Sequence, residues 1–334
     1  MKDSTSASHE PFPGGREIIR QAYLNKGMPQ ESAEFFIKSI EGSTLKQYEG
    51  HLDQWWKFLQ AMKCDTFKAE IPMIIKFLTK RFYEGSSYSS LNSARSAISL
   101  ISNADISNNK SLSRFFKGVH KARPSRARYS STWDPSVVLD FIEKMTDSRN
   151  LMMLSQETAT LIALTTGHRL QTLEKINIEN IVVSEEHISI KIPERIKMSK
   201  RGKPQPDLVI PFFQGNKRLC VASHVIRYLE LTRELRGDNK RLFISTKKPH
   251  KAVTSQTIGH WIKKLISRAG IDTGIFSAYS TRHAAVSKAF KQGVDLSIIR
   301  KTAGWSERSG VFARFYNQPI EPPKETFALS VLKK

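Results

Sequence analysis

The chain has 334 residues, 39% of them apolar, enough for two domains with ordinary cores. Its 53 Lys and Arg against 31 Asp and Glu give a formal net charge of +22, which selects for polyanionic partners. Nucleic acid ranks ahead of an anionic membrane because no basic amphipathic anchor stands out. No run approaches the roughly 18 apolar residues of a membrane span, and Met1 to Gly15 lack the apolar core of a signal peptide. Cys64 and Cys220 lie far apart without a CxxC pattern and read as buried thiols of a reducing compartment. The expectation is an intracellular protein with no membrane partner.

Residues 1–14 read as a flexible leader. Helical periods then begin at Arg16 to Lys26, where Ile18, Ile19 and Ala22 share a face. Ser43 to Lys63 is clearer, with Leu45, Tyr48, Leu52, Trp55, Trp56, Leu59 and Met62 at steps of three and four and Ser43 as the expected N-cap. Further helices fit Ile71 to Tyr83, Ser87 to Ser102 and Ser111 to His120. Residues 15–120 thus predict an all-helical domain. From Ile106 to Trp133 the chain has no acid and seven bases: Lys110, Arg114, Lys117, Lys121, Arg123, Arg126 and Arg128. Residues 121–133 read as a basic linker, either simply solvated or a strap for phosphates.

A second domain, residues 134–334, starts with Pro135 in a first helical turn. Leu151 to Thr166 predicts a helix with Leu161, Ile162 and Leu164 in the core and Gly167 as its stop. Strands fit Ile181 to Val183, the alternating His187 to Ile192, and Leu208 to Phe212. Helices resume at Ala222 to Arg236, Ser255 to Ala269, Thr281 to Lys291 and Leu296 to Thr302. The fold class is mainly α: a helical N-terminal domain, then a mixed α+β domain with one small antiparallel sheet.

The common chemistries leave no signature. There is no GxxxxGK[ST], GxGxxG or HExxH, and the nine histidines show no metal spacing. What stands out is cationic, aromatic and hydroxyl-bearing: Thr165-Thr-Gly-His-Arg-Leu-Gln-Thr-Leu173, Tyr279-Ser-Thr-Arg-His-Ala-Ala285, Ala303-Gly-Trp305 and Phe312-Ala-Arg-Phe-Tyr316. Two arginines can clamp the non-bridging oxygens of a phosphodiester in its transition state. An arginine in the first turn of a helix adds the backbone N–H groups and the dipole to that clamp. A tyrosine nucleophile stores the energy of the broken bond in a phosphotyrosyl link, so neither ATP nor metal is required.

The four segments resemble the tyrosine recombinase (phage integrase) family, and their wording is most similar to the eukaryotic crypton- and DIRS-like mobile-element recombinases. The resemblance covers about residues 134–320, and the helical first domain agrees in kind with the family's core-binding domain. It implies that Arg169 and Arg282 hold the phosphate and that Lys197 protonates the leaving 5′ oxygen from a β-hairpin. Trp305 would occupy the position of His or Trp, and Tyr316 would be the nucleophile. The steps of 23 residues from Arg282 to Trp305 and 11 from Trp305 to Tyr316 suit the family. One departure stands out: the family's His-x-x-Arg reads Tyr279-Ser-Thr-Arg282 here. With an unperturbed pKa near ~10, Tyr279 is a poorer base than histidine but can still donate to a phosphate oxygen. His283, about 100° round the helix from Arg282, is not placed to replace the missing group. The resemblance implies a cofactor-free DNA integrase on double-stranded DNA, acting as a homo-multimer, a tetramer, and nuclear if the cell is eukaryotic. After Pro322-Pro323, the segment Ala328-Leu-Ser-Val-Leu332 is either an arm for a neighbouring subunit or a local cap.

Two more acid-free runs extend the expected DNA surface. One holds Arg195, Lys197, Lys200, Arg201 and Lys203. The other spans Asn239 to Ile271 and includes Lys247 and Lys248. With Lys117, Lys121, Arg123, Arg126 and Arg128 they would encircle a duplex. Two alternatives stay open at this point: a DNA-binding protein that lost catalysis, with Tyr279 as the mark of decay, and a nicking and resealing enzyme of the type IB topoisomerase kind.

Overall fold

The computed structural model describes residues 10–124, 131–145, 150–196, 199 and 205–305. Two compact units emerge, one within residues 1–126 and the other within 127–334. Lys197, Lys200, Arg201, Lys203, Arg126, Arg128, Tyr316 and the 328–332 segment lie outside the described residues.

The first unit is helical: α1 (Gly15–Asn25), α2 (Gln30–Lys38), α3 (Gly42–Ala61), α4 (Ile71–Tyr83), α5 (Tyr88–Ile101) and α6 (Lys110–Ala122). Ile18, Ile19, Leu52, Leu59, Ile74 and Leu78 are buried around an aromatic centre. There Trp55 meets Phe77 at 5.1 Å and Phe58 at 5.9 Å between ring centroids. Ser87 and Asn109 cap α5 and α6 by accepting from the N–H groups of Ser90 and Leu112. Helix α2 was not legible in the sequence, because its buried residues, Ala33 and Ile37, are too few to set a period. Ser43 is not the N-cap of α3. The carbonyl of Glu41 already accepts from Thr44 and Leu45, so the helix starts upstream and Ser43 lies in its first turn.

The expected linker also starts too early. Helix α6 runs through Lys121 to Ala122. Arg123 then donates from Nη1 to the Ser86 carbonyl (2.8 Å) and from Nη2 to that of Phe82 (3.3 Å), and its guanidinium lies 4.3 Å from the Phe82 ring centroid. Cys64, expected to be buried, is only partly so, since it follows the open end of α3; Cys220 is buried.

The second unit holds α7 (Pro135–Lys144), α8 (Leu151–Thr166), α9 (Leu170–Glu174), β1 (Ile181–Val183), β2 (His187–Lys191), β3 (Asp207–Pro211), α10 (Val221–Thr232), α11 (Ser255–Arg268), α12 (Ser280–Lys291) and α13 (Leu296–Thr302). Helix α8 is its centre, packed against α10, α11 and α12 and buried on nearly every side. Two of its buried hydroxyls return to the helix backbone: Thr160 and Thr166 donate to the carbonyls of Gln156 and Ile162, both at 2.7 Å. The strands form an antiparallel sheet in the order β1-β2-β3, with Ile188 opposite Ile210 and Ile190 opposite Leu208. These four face the core, as the alternation requires. Helix α10 stops at Thr232, short of the expected Arg236. There Arg236 turns its guanidinium back onto the Thr232 hydroxyl and the Arg241 carbonyl.

Candidate active site

The site grows from the end of α8. Gly167 adopts a left-handed conformation (φ 61°, ψ 14°) that a glycine takes without strain, and its N–H returns to the Ala163 carbonyl. The chain passes through His168 to Arg169, which stands partly buried at the N-cap of α9. Helix α12 meets this turn from elsewhere in the sequence. Its start is pinned by Trp133, whose indole donates to the Ser280 hydroxyl at 2.8 Å. Tyr279 occupies the N-cap and is 41% exposed. Arg282, in the first turn, is 1% exposed.

That buried guanidinium joins three segments. Nη1 donates to the Gly167 carbonyl at 2.6 Å, and Nη2 donates to the Ala303 carbonyl, at the end of α13, at 2.8 Å. The guanidinium carbon lies 4.6 Å from the centroid of the Trp305 ring. Trp305 reaches this position because Gly304 turns left-handed (φ 67°) and the Trp305 N–H bonds the Arg300 carbonyl at 2.8 Å. A buried charge held by two carbonyls and an aromatic face has a fixed position and direction, as electrostatic preorganisation requires.

His168 completes the cluster and was missed in the sequence, where a single histidine beside an arginine carries no pattern. It is 6% exposed. Burial first, then the charges of Arg282 and Arg169, lower its pKa to about 4, partly opposed by a hydrogen bond to the Thr302 backbone. It is therefore a neutral imidazole at pH 7. His283, also buried, meets Tyr279 edge-on with ring centroids 5.6 Å apart.

The sequence pattern of the phage integrase family matches residues 135–320, a range that takes in all four motifs and Tyr316. This chain belongs to the phage integrase (tyrosine recombinase) family. Solved structures of similar fold include the XerH site-specific recombinase bound to difH in a pre-cleavage complex. It has 15% identity and a TM-score of 0.59, and the match covers 98% of this chain and 91% of that one. The Tn1549 transposon integrase in complex with circular intermediate DNA has 13% identity and a TM-score of 0.57, covering 96% and 99%. A λ integrase tetramer bound to a Holliday junction has 14% identity and a TM-score of 0.50, covering 93% and 78%. No curated protein matches the chain in sequence.

Against the family pattern, the fold brings Arg282, Trp305 and the turn bearing Arg169 together, with Tyr279 at the head of the Arg282 helix. The hairpin between β2 and β3, where the pattern sets Lys197, is anchored at its base by Glu194. Lys175, just past α9, bonds that carboxylate at 2.9 Å, and Arg241 bonds it from the other side. The Arg241 hydrogen bond foremost, with Lys175 adding to it, holds the Glu194 pKa down to about 2. The root of the hairpin is thereby tied to the segment that follows the first arginine.

Of the expected DNA-contacting residues, Lys117 and Lys121 are exposed on α6, in register with Lys110 and Arg114 on one face. Beside them on α5, Arg95 lies 4.8 Å from the Phe116 ring centroid, a basic residue that the search for acid-free runs passed over. Arg195, Lys247 and Lys248 are exposed in the second unit. Arg123 is exposed too, but its guanidinium serves the first unit's own carbonyls. Among the described residues no helix is long and apolar enough to cross a membrane.

Proposed function

We propose that this chain is a site-specific DNA recombinase that cuts and rejoins duplex DNA through a 3′-phosphotyrosyl link to Tyr316. The observation that carries the reading is Arg282. One buried guanidinium binds the Gly167 carbonyl, 115 residues away, and the Ala303 carbonyl, 21 residues away. The turn that bears Arg169, Arg282 itself and Trp305 are thus drawn together from three separate elements. In this reading Arg169 and Arg282 neutralise the charge that develops on the phosphate. The Tyr316 hydroxyl gives up its proton to water as its oxygen attacks phosphorus, and the expelled 5′ oxygen takes a proton from the Lys197 ammonium. Trp305 braces Arg282, and Tyr279 donates its hydroxyl to a phosphate oxygen.

Strand exchange needs several cut sites held together, so the working form is a homo-multimer on DNA, a tetramer by likeness to the λ integrase assembly. Lys117, Lys121, Arg126, Arg128, Arg195, Lys200, Arg201, Lys203, Lys247 and Lys248 supply the phosphate contacts. The wording of the motifs supports a place among crypton- and DIRS-like mobile-element recombinases, and with it a nuclear site of action.

The test is a library of nicked suicide duplexes with randomised cores, incubated with wild type and Tyr316→Phe in EDTA. An SDS-resistant protein–DNA adduct with wild type alone is expected. Tight, salt-sensitive duplex binding without any adduct would transfer the assignment to a non-catalytic binder. An adduct formed by a monomer that never pairs two duplexes would transfer it to a topoisomerase-like enzyme.

A further inference from the structure

Helix α12 carries Arg282, with Tyr279 at its head, and it is held from two sides. On one side the Arg282 guanidinium reaches the Gly167 and Ala303 carbonyls. Ser280 stands two residues earlier, about 200° round the helix, and takes a different hold. Its fully buried hydroxyl accepts from the Trp133 indole N–H at 2.8 Å and donates to the Ser277 carbonyl at 2.6 Å. Trp133 is buried as well. The residues after it extend the grip along the helix. Lys288, about two turns beyond Ser280, donates to Asp134 Oδ1 at 3.0 Å and to the Ser136 hydroxyl at 2.8 Å. Residues 133–136 thus tie down α12 near both of its ends.

We propose that Trp133 is a positioning residue: through Ser280 it fixes the rotation and height of α12, and with them the direction in which Arg282 and Tyr279 meet the scissile phosphate. Resting on the recombinase reading, the inference gives a role to a side chain outside all four motifs. The first turn of α12 needs such an anchor. Its backbone bonds from Thr281 to Ala278 and from Arg282 to Tyr279 are long, at 3.3 Å each. The short bonds come from side chains, with Ser280 and Thr281 donating to the Ser277 and Ala278 carbonyls at 2.6 and 2.7 Å. A turn closed by hydroxyls is set by whatever holds those hydroxyls, and Trp133 holds Ser280. Arg282 cannot supply this precision itself, because its long stem lets the guanidinium stay in place while the Cα shifts. A serine has no such slack. The indole has one donor, and losing its acceptor in a buried place would leave that N–H unpaired, so the ring has one favoured setting. Trp133 lies 147 residues from Ser280 in sequence and acts through it, without touching the phosphate.

The experiment compares full-length wild type, Trp133→Phe, Ser280→Ala and the double variant. Phenylalanine keeps an aromatic ring in the core and removes only the donor; alanine removes only the acceptor. On a suicide duplex that wild type cleaves, with protein in saturating excess, each single variant should form adduct about 10- to 100-fold more slowly, the scale of misplacing a catalytic group by up to about an ångström. The double variant should be within about twofold of the slower single one, because both remove the same contact. Duplex affinity should stay within about twofold of wild type, so the loss falls on the rate and not on binding. A purely structural contact would lower the unfolding midpoint and leave the single-turnover rate of the folded protein unchanged. Wild-type rates in both single variants, or losses that multiply in the double variant, would overturn the proposal.

A second readout is independent of cleavage. The chain has five tryptophans. In 15N NMR, the indole resonance lost in Trp133→Phe should resist exchange with solvent and should move in Ser280→Ala. The Arg282 Nε–H resonance, assigned by its loss in Arg282→Lys, should move in both Trp133→Phe and Ser280→Ala. An Arg282 resonance unmoved in both variants refutes the positioning role even if the protein cuts DNA. Shifts in both, in a protein that forms no adduct, leave the positioning role standing and place the failure in the recombinase reading.

Discussion

The two units solve the burial problem in opposite ways. In the first, the buried side chains are apolar apart from Thr66 and Ser102, and three aromatic rings fill the centre. In the second, Ser155, Gln156, Glu157, Thr158, Thr160, His168, His224, Ser280, Thr281, Arg282, His283 and Ser287 are all buried, in one compact helical assembly around α8. Burying a charge or an amide costs several kcal/mol unless it is paired, and replacing such groups by apolar ones is often neutral or stabilising. The first unit therefore reads as a scaffold made stable by apolar area. The second gives up part of that stability to hold cations in place, the signature of a site.

The sharpest way to break this comparison is to remove the central cation. Arg282→Ala should reduce adduct formation by about 100- to 1,000-fold on a cleavable duplex, by analogy with loss of a principal transition-state donor. Arg282→Lys should not rescue it, because a compact ammonium lacks the planar fork whose two ends reach the Gly167 and Ala303 carbonyls at once. If either variant cleaves at the wild-type rate, the buried charge is a structural accident.

Truncation in the first unit should act only on stability. Trp55→Ala, which empties the aromatic centre, should cost about 4 kcal/mol in denaturant unfolding of that unit. A loss below about 1 kcal/mol would mean that its core is not organised around that ring.

The pH response separates the units more finely. His168 has a folded pKa near 4, below its ordinary value of about 6.5. The unfolded chain thus binds the proton more readily, so the contribution is complete above about pH 6.5 and is lost as pH falls to 4. The loss is at most about 3 kcal/mol, and it should shrink in His168→Gln when thermal melts are compared across that window. Identical pH slopes in the two proteins would show that this imidazole is not buried neutral.

The smallest effect is a cap. Asn150 accepts from the N–H groups of Met152 (2.8 Å) and Met153 (3.3 Å), so Asn150→Ala should cost about 1 kcal/mol of second-unit stability without altering the cleavage rate of the folded protein. A slowed cleavage step in that variant would couple the start of α8 to the site at its far end.

Much of this was legible in the chain itself. The α8 span, its Gly167 stop, the alternating strands and the α13 span follow from local periodicity and from what glycine alone does at positive φ. Charge and motif order pointed to phosphodiester chemistry on DNA, because cations, a tyrosine and an arginine at a helix start are each properties of residue type and spacing. Other features were not legible. Helix α2 buries too few residues to show a period. The end of α6 lay inside a run read as linker, since basic residues signal solvent unless something, here the Phe82 ring and two carbonyls, collects them.

Only the tertiary structure decided which cations act together. Arg123 and Arg282 are chemically identical, but one closes the end of a helix while the other sits under Trp305 between two carbonyls. The difference comes from contacts between segments as many as 115 residues apart, and no local pattern encodes them. The same holds for His168. Its neutrality arises from burial beside two guanidiniums, a property of the packed site and not of the residue.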